Sequence, residues 1–420
     1  MGVEASSQLS QECTVSDLSV APYFPFPGVF PSSQVITDEG DRAHSLIQFD
    51  LDQTYSPRCS GCGEMAEPIH SYHQRRIRDL NLAHATVELL VPHRKVRCPD
   101  CGIRIEAHDF LAPFRRSTRR FEQAVADLCQ YLPIKQVAEH FGLSWHTVKE
   151  IDKRRLIQEV GTPCYDDLRL LAVDEISVRK GHRYMTSVLN FETGRIVWMG
   201  QDRKKQTLQR FFAELSPEQL ASIQAIALDM SGAYRQAILE TCPQVAMVYD
   251  FFHVVAKYGR EVIDRVRLDE SKKQSEAGRR YIKGSRYLLL RNEENLSSDQ
   301  QDRLQELLSM NEALNTVYVL KDQLKQLFTY HHPGWARRAL HQWCDLALAS
   351  GLPPLERFAL GLLNHADGII NHARYPIHTG VLEGIHNKIK VIKRQAYGFR
   401  DDHYFILKVK AAFPGRLQPD

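Results

Sequence analysis

No uninterrupted apolar run in this sequence approaches the ~20 residues that a membrane-crossing helix needs, which excludes a helical span. The first residues lack the basic segment and apolar core of a secretory leader. An excess of one charge is missing too: 54 Lys and Arg stand against 51 Asp and Glu, a net charge of +3, so total charge names no partner. A disulfide framework is equally absent. The cysteines number nine, and five of them (Cys13, Cys129, Cys164, Cys242 and Cys344) follow no spacing, as in a reducing compartment. These absences predict a soluble, cytoplasmic protein. Regular structure is also expected to be missing at the start, because Ala21–Pro31 carries four prolines, which suit neither a helix nor a central strand. Residues 1–45 read as an extended or disordered tail.

What is present begins with an acidic pattern. The apolar run Leu168–Val173, interrupted by Arg169, leads into Asp174 and Glu175. Ile223–Leu228 repeats the pattern and ends in Asp229. Short apolar runs of this kind read as buried strands, which would put both aspartates at the rim of a sheet. On a regular strand Glu175 would face away from Asp174. The charge distribution supplies a context that the total hides. Between Arg75 and Arg120, eleven Lys/Arg face five Asp/Glu, and Arg374–Arg400 is basic around a single glutamate, Glu383. Paired carboxylates together with basic segments suggest a metal site for phosphodiester chemistry on a polyanion.

Cys59-Ser-Gly-Cys62 and Cys98-Pro-Asp-Cys101 are two C-x-x-C pairs, each followed by glycine. Tight turns let both thiolates of a pair face one ion, so the four predict one structural Zn²⁺ in a zinc-ribbon-like module. The basic stretch Arg115, Arg116, Arg119 and Arg120 then opens a helical region. Ile134–Ile151 has helix-turn-helix spacing, with Ala138 small at the crossing, Gly142 at the turn, and Val148 and Ile151 seating the second helix. Ser144, Trp145, His146, Thr147, Lys149 and Lys153 would face the major groove of double-stranded DNA.

After Gly161, the pattern runs three meandering strands, helix, strand, helix, strand, which is the ribonuclease H-like order in a mixed α/β sheet. From Phe251 to about Ala373 it is helical throughout, too long for a connection. The expected architecture is multidomain α/β: tail 1–45, zinc-ribbon-like module 46–112, helix-turn-helix region 113–163, ribonuclease H-like core 164–254, all-α insertion 255–374, and a final helix within 375–420. That helix begins near Glu383 and continues through Lys388, Lys390, Lys393 and Arg394, which are expected to contact DNA.

The chain resembles the DDE transposases of the ISL-three family of bacterial insertion sequences. The resemblance rests on Val173-Asp-Glu-Ile-Ser177 with Lys180-Gly-His182, Leu228-Asp-Met-Ser231, Asp250-Phe-Phe-His253, and Leu382-Glu-Gly-Ile-His-Asn-Lys-Ile-Lys390 with Ala396-Tyr-Gly-Phe399. Arg78-Asp-Leu80 and the paired cysteines look like the family's zinc-binding region. His386 is a departure, standing where the family pattern Gly-Ile-Asn-Asn has asparagine. The resemblance implies Asp174, Asp229 and Glu383 as an acidic triad. Two divalent ions, Mg²⁺ or Mn²⁺, would be held by such a triad about 3.5–4 Å apart. It places Asp250 and His253 behind the triad or against substrate. It also implies DNA cleavage and strand transfer at terminal inverted repeats and target DNA, by a homodimer or higher oligomer assembled on DNA. A DNA-binding regulator with an inactive catalytic domain and a structure-selective nuclease are the alternatives.

Overall fold

The computed structural model describes residues 20–39, 42–179, 183–377 and 380–415, with the side chains of residues 38–39, 42, 179, 183 and 380–383 excepted. The Lys180-Gly-His182 turn and the first 19 residues of the expected tail lie outside them. The chain forms two compact units, Met1–Arg155 and Leu156–Asp420. Among the described residues, no helix is long and apolar enough to cross a membrane.

The first unit contains a sheet of β1 (Val29–Glu39), β2 (Arg42–Leu51), β3 (Ile69–Leu82), β4 (Ala85–Cys98) and β5 (Gly102–Ile105). Its order is β1-β2-β4-β3, with β5 paired to β4. The expected tail is therefore wrong from residue 29 onward. Alternation decides it: Ala43, Ser45, Ile47 and Phe49 are buried while the residues between them are not, the period of a half-buried strand. The proline run is accommodated at its edges. Phe24 and Phe26 drop into a core with Ile47, Phe49, Ile77, Val87, Leu89 and Phe110 before β1 begins, and Pro31 sits at a register shift between β1 and β2. Three helices follow, α1 (Arg119–Leu128), α2 (Ile134–Phe141) and α3 (Trp145–Val160). Gly142 ends α2 at φ 67°, the left-handed conformation that glycine adopts without penalty. Phe121, Val125, Val137, Ala138, Val148 and Ile151 form their shared core.

The second unit is built on β6 (Leu170–Arg179), β7 (Arg183–Asn190), β8 (Arg195–Gln201), β9 (Ala225–Leu228) and β10 (Ala246–Tyr249). Helices α4 (Lys205–Ala213) and α5 (Pro217–Ser222) precede β9, and α6 (Gly232–Thr241) follows it. The sheet order is β10-β9-β6-β7-β8. Strands β6, β7 and β8 form an antiparallel meander, whereas β9 and β10 run parallel to β6. Helices then fill the chain from α7 (Phe251–Tyr258) to α15 (Ala366–Ile370), and α16 (Gly380–Gln395) and α17 (Asp402–Ala412) close it. The helical segment shares its core with the sheet: Tyr249, Tyr258, Trp343, Phe358 and Leu362 belong to one buried cluster. Gly368 in α15 is required there, because a Cβ would lie 2.3 Å from the Tyr249 ring.

A buried lysine ties two stretches of the helical segment to each other. Lys321 is 2% exposed, and its Nζ donates to the carbonyls of Leu289 (2.9 Å) and Arg291 (3.0 Å). Burial, reinforced by nearby Lys325, pushes its ammonium down to about 8. An unfolded lysine titrates near ~10.4, so between these values the unfolded chain binds more protons and stability rises with pH. The expected outcome is that wild type gains unfolding resistance relative to Lys321→Met as pH climbs from about 8 to about 10. Paired urea unfolding curves over that range check it.

Candidate functional site

The long hairpin β3–β4 carries the cysteine pairs at one end. Cys98 terminates β4, Cys101 precedes β5, and Cys59 lies against β5's end through a bridge to Glu106. The donor atoms of Cys59, Cys62, Cys98 and Cys101 lie within 4.8 Å of one another, with Cys62 and Cys98 sulfurs 3.6 Å apart. Gly61 makes this closeness possible, since a Cβ there would meet the Cys101 sulfur at 2.9 Å. Burial works against ionising Cys59, but N–H donors of Cys62 and Gly61 hold its thiol down to about 7. Burial and the neighbouring thiols push Cys101 up to about 12. Four thiols that cannot all ionise together without a cation fit a tetrahedral zinc site. A second group, His93, Glu106 and His108, is buried nearby. Its chemistry differs. Arg94 occupies both Glu106 oxygens from its N–H and Nε (2.7 and 2.8 Å), His108 and His93 share a 2.9 Å hydrogen bond, and burial lowers the two imidazoles to about 4 and 3. With the guanidinium already neutralising the carboxylate, this trio is a hydrogen-bonded core network.

The helical part of the first unit presents the expected recognition residues. Ser144 accepts from the Thr147 N–H at 3.1 Å, capping α3, and Ser144, Trp145, His146 and Thr147 are exposed on its first turn. Lys149 is half-buried, with Nζ 5.7 Å from the Trp145 ring centroid, and Lys153 lies a turn further along α3. Arg116 and Arg119 are exposed, and Arg115 is half-buried. Arg120 is a correction: its guanidinium serves the fold. It donates to Asp79, whose carboxylate is buried, and to the Tyr23 carbonyl at 2.6 Å, and it lies over the rings of Phe24 and Phe26. Asp79 also accepts from Thr118, the N-cap of α1. The sequence motif Arg78-Asp-Leu80 thus joins β3 to α1.

In the second unit, strand pairing brings acidic residues into line. Ala172 of β6 pairs with Ala227 of β9, so two residues further along both strands Asp174 stands level with Asp229. Tyr249 of β10 pairs with Leu228, so the next residues, Asp250 and Asp229, are also level. Asp174 does not end its strand as expected. β6 continues to Arg179 because β7 still pairs with it and Ile176 and Val178 are buried. Glu175 turns to the other face, where it accepts from Arg203 Nη1 at 3.3 Å. Asp174 Oδ1 accepts from the Glu175 N–H (2.6 Å), Asp229 Oδ1 from the Ser231 N–H (3.0 Å), and Asp250 from the Phe252 N–H and from His253 Nδ1 (2.7 Å each). Burial raises the carboxyls of Asp174 and Asp229, while the hydrogen bond to Asp250 raises His253.

Helix α16 approaches this edge. His386 Nε2 is buried 3.3 Å from Asp174 Oδ2, close enough for charge contact but without hydrogen-bond alignment. Glu383 stands three residues earlier in α16, and its side chain lies outside the described residues. Two lysines read from sequence as DNA contacts also anchor the helix within the chain. Lys393 Nζ donates to the Ser177 carbonyl at 3.0 Å, and Lys388 Nζ donates to the Ala412 carbonyl at 2.8 Å. Their charges are used inside the chain because α16 must be held to β6 and to the end of α17. Lys390 and Arg394 remain exposed. His386, noted in the sequence only as a departure from the family pattern, and Arg203 are site neighbours that the sequence reading did not place there. The one-turn spacing from Glu383 could have found the first, and nothing local marks the second.

Comparison with known proteins assigns each part. Residues 171–409 match a family described as transposase, residues 106–156 the helix-turn-helix domain of transposase family ISL3, and residues 56–101 the zinc-finger of transposase IS204/IS1001/IS1096/IS1165. The chain is 46% identical over 363 residues to the transposase for insertion sequence element IS1001 of Bordetella parapertussis, spanning 86% of this chain and 89% of the relative. It is 27% identical over 394 residues to the transposase for insertion sequence element IS1557 of Mycobacterium tuberculosis, spanning 88% of each. A zinc-finger domain, a helix-turn-helix domain and a transposase domain therefore follow one another, and the chain belongs to the ISL3 family of insertion-sequence transposases.

Proposed function

We propose that this transposase binds the terminal inverted repeats of its element, cleaves DNA to free a 3′-hydroxyl, and joins that hydroxyl to target DNA. The observation that carries the reading is the alignment of Asp174 in β6 with Asp229 and Asp250, which directly follow the parallel strands β9 and β10, with α16 against β6. The strand order, two parallel strands beside an antiparallel meander, supports a ribonuclease H-like core, with the helices of 255–374 as an insertion. In this reading Asp174, Asp229 and Glu383 hold two Mg²⁺ or Mn²⁺ ions. Such ions activate an attacking oxygen and stabilise a leaving one when bound. Asp250 holds His253 by its Nδ1 atom, which leaves Nε2 to meet substrate. His386 sets the position of the Asp174 carboxylate. The chain acts as a homodimer or higher oligomer on DNA in the cytoplasm. Intact acidic residues favour this over an inactive regulator, and detection of joined products separates it from a nuclease that only cuts.

Three outcomes are expected. Asp174→Ala, Asp229→Ala and Glu383→Ala each abolish cleavage and joining of end DNA while end binding persists. Glu175→Ala, on the other face, keeps activity. Gel assays of cleaved and joined products read this, and an active Asp174→Ala or Glu383→Ala protein would remove that residue from the metal centre. Purified protein is also expected to carry about one Zn²⁺ per chain on four sulfurs. Cys98→Ser should lose that ion and the protease resistance of residues 55–110, and metal analysis finding none would contradict the site. In DNA binding, Arg116→Ala or Arg119→Ala should flatten the salt dependence by about one unit per lost phosphate contact. His146→Ala or Thr147→Ala should instead change which end sequence is preferred. Equal loss on all sequences in both classes would exclude α3 as the recognition helix.

A further inference from the structure

Within the helical segment, α8 (Asp264–Lys272), α9 (Glu276–Gly284) and α14 (Pro353–Leu363) surround a cleft of about 370 Å³. Five cations line it: Arg265 and Lys272 from α8, Arg279 and Lys283 from α9, and Arg357 from α14. Asp269 is the sole acid in the lining, and Lys272 already pairs with it at 2.9 Å. The side chains of Arg265, Arg279, Lys283 and Arg357 are exposed, and among the described residues none has a hydrogen-bond or ion-pair partner. Most acids elsewhere on these helices are committed to other cations, and Glu356 of α14, which has no ion pair among the described residues, lies outside the lining. Asp264 pairs with Arg267 and Arg286, Glu270 with Lys273, and Glu276 with Arg280. Inside the cleft, four cations are left without an acid, Asp269 being taken by Lys272.

Four unneutralised cations in one concavity repel one another, and a polyanion relieves that repulsion. Pockets for small organic ligands are mostly apolar, whereas the apolar lining here is limited to Leu268 and Pro354. Three guanidinium groups from three helices suit the paired oxygens of phosphate groups. We propose that this cleft binds the sugar–phosphate backbone of duplex DNA, giving the transposase unit a grip on DNA separate from the helix-turn-helix. It rests on the transposase reading above, since DNA is the polyanion that such an enzyme handles. The contact is electrostatic and carries no sequence information, so it holds flanking or target DNA as readily as the element's own ends.

The test uses the full chain with all four unpaired cations replaced, Arg265→Gln, Arg279→Gln, Lys283→Gln and Arg357→Gln, and mixed-sequence duplex DNA as probe. Binding is measured across a salt series. Each lost phosphate contact removes about 0.9 from the logarithmic salt slope, so the slope should fall by about three to four and affinity near ~0.1 M salt by at least tenfold. A comparison variant, Arg280→Gln, Arg303→Gln, Arg337→Gln and Arg338→Gln, removes equal charge outside the cleft and should move the slope by less than about one. An unchanged slope in the cleft variant, or an equal fall in the comparison variant, overturns the proposal. So does inorganic phosphate binding that the cleft variant loses while its DNA slope stays intact, which would make the cleft a small-anion site. Thermal unfolding confirms that each variant is folded, and the pair Arg279→Gln, Arg357→Gln, expected to lower the slope by about two, serves if the quadruple variant is not. Wild type that cleaves element ends beside a cleft variant of unchanged slope sinks this proposal alone. Wild type that neither binds nor cleaves DNA sinks the function reading with it.

Discussion

Burial of aspartates at one edge of the sheet is the constraint on which the second unit's candidate site depends. Taking a carboxylate out of water penalises its charged form, and like charges nearby add to the penalty. Asp174 in β6 stands level with Asp229 and Asp250, the residues that directly follow β9 and β10. Backbone N–H groups, His253 and His386 offset part of that penalty. Burial still raises the carboxyls of Asp174 and Asp229, which leaves the edge short of positive charge. In the proposed function, divalent cations with oxygen preference would supply what is missing. Only parallel strands could create this situation, because they deliver the same ends of successive strands to one side.

The rest of the unit secures that edge. Gly368 lets α15 approach the Tyr249 ring, fixing β10 from outside. Lys393 and Lys388 tie α16 to β6 and to the end of α17, so the helix that carries Glu383 is held by its own basic residues. His386, where the family pattern has asparagine, brings an imidazole rather than an amide toward Asp174. In the first unit the corresponding anchor is Asp79. One buried carboxylate there collects Thr118 and Arg120 and couples the sheet to the helices.

Much of this was legible in the sequence for physical reasons. The runs before Asp229 and Asp250 are short and wholly apolar, as buried parallel strands require, and the cysteine spacing admits few alternatives. The helix-turn-helix was marked by Gly142, which the structure places in the left-handed region. Errors arose where one local rule hid another. Four prolines concealed the alternation of residues 43–49, and the charges of Arg120, Lys388 and Lys393, read as DNA contacts, gave no sign of their partners within the chain, a distant carboxylate and backbone carbonyls. Such pairings span 41, 24 and 216 residues and leave no local periodicity to read. The extension of β6 past Asp174 depended likewise on β7, a partner that no residue within the strand announces.

The central claim is that the edge formed by β6, β9 and β10, together with α16, is a divalent-cation centre. Its most direct measurement replaces Mg²⁺ with Fe²⁺ and uses peroxide to cut the protein backbone wherever the iron is bound. Cuts are predicted beside Asp174, Asp229 and Asp250 and in α16 near Glu383 and His386, all suppressed by excess Mg²⁺. Cutting confined to other segments, or cutting at this edge that Mg²⁺ does not suppress, would contradict the account.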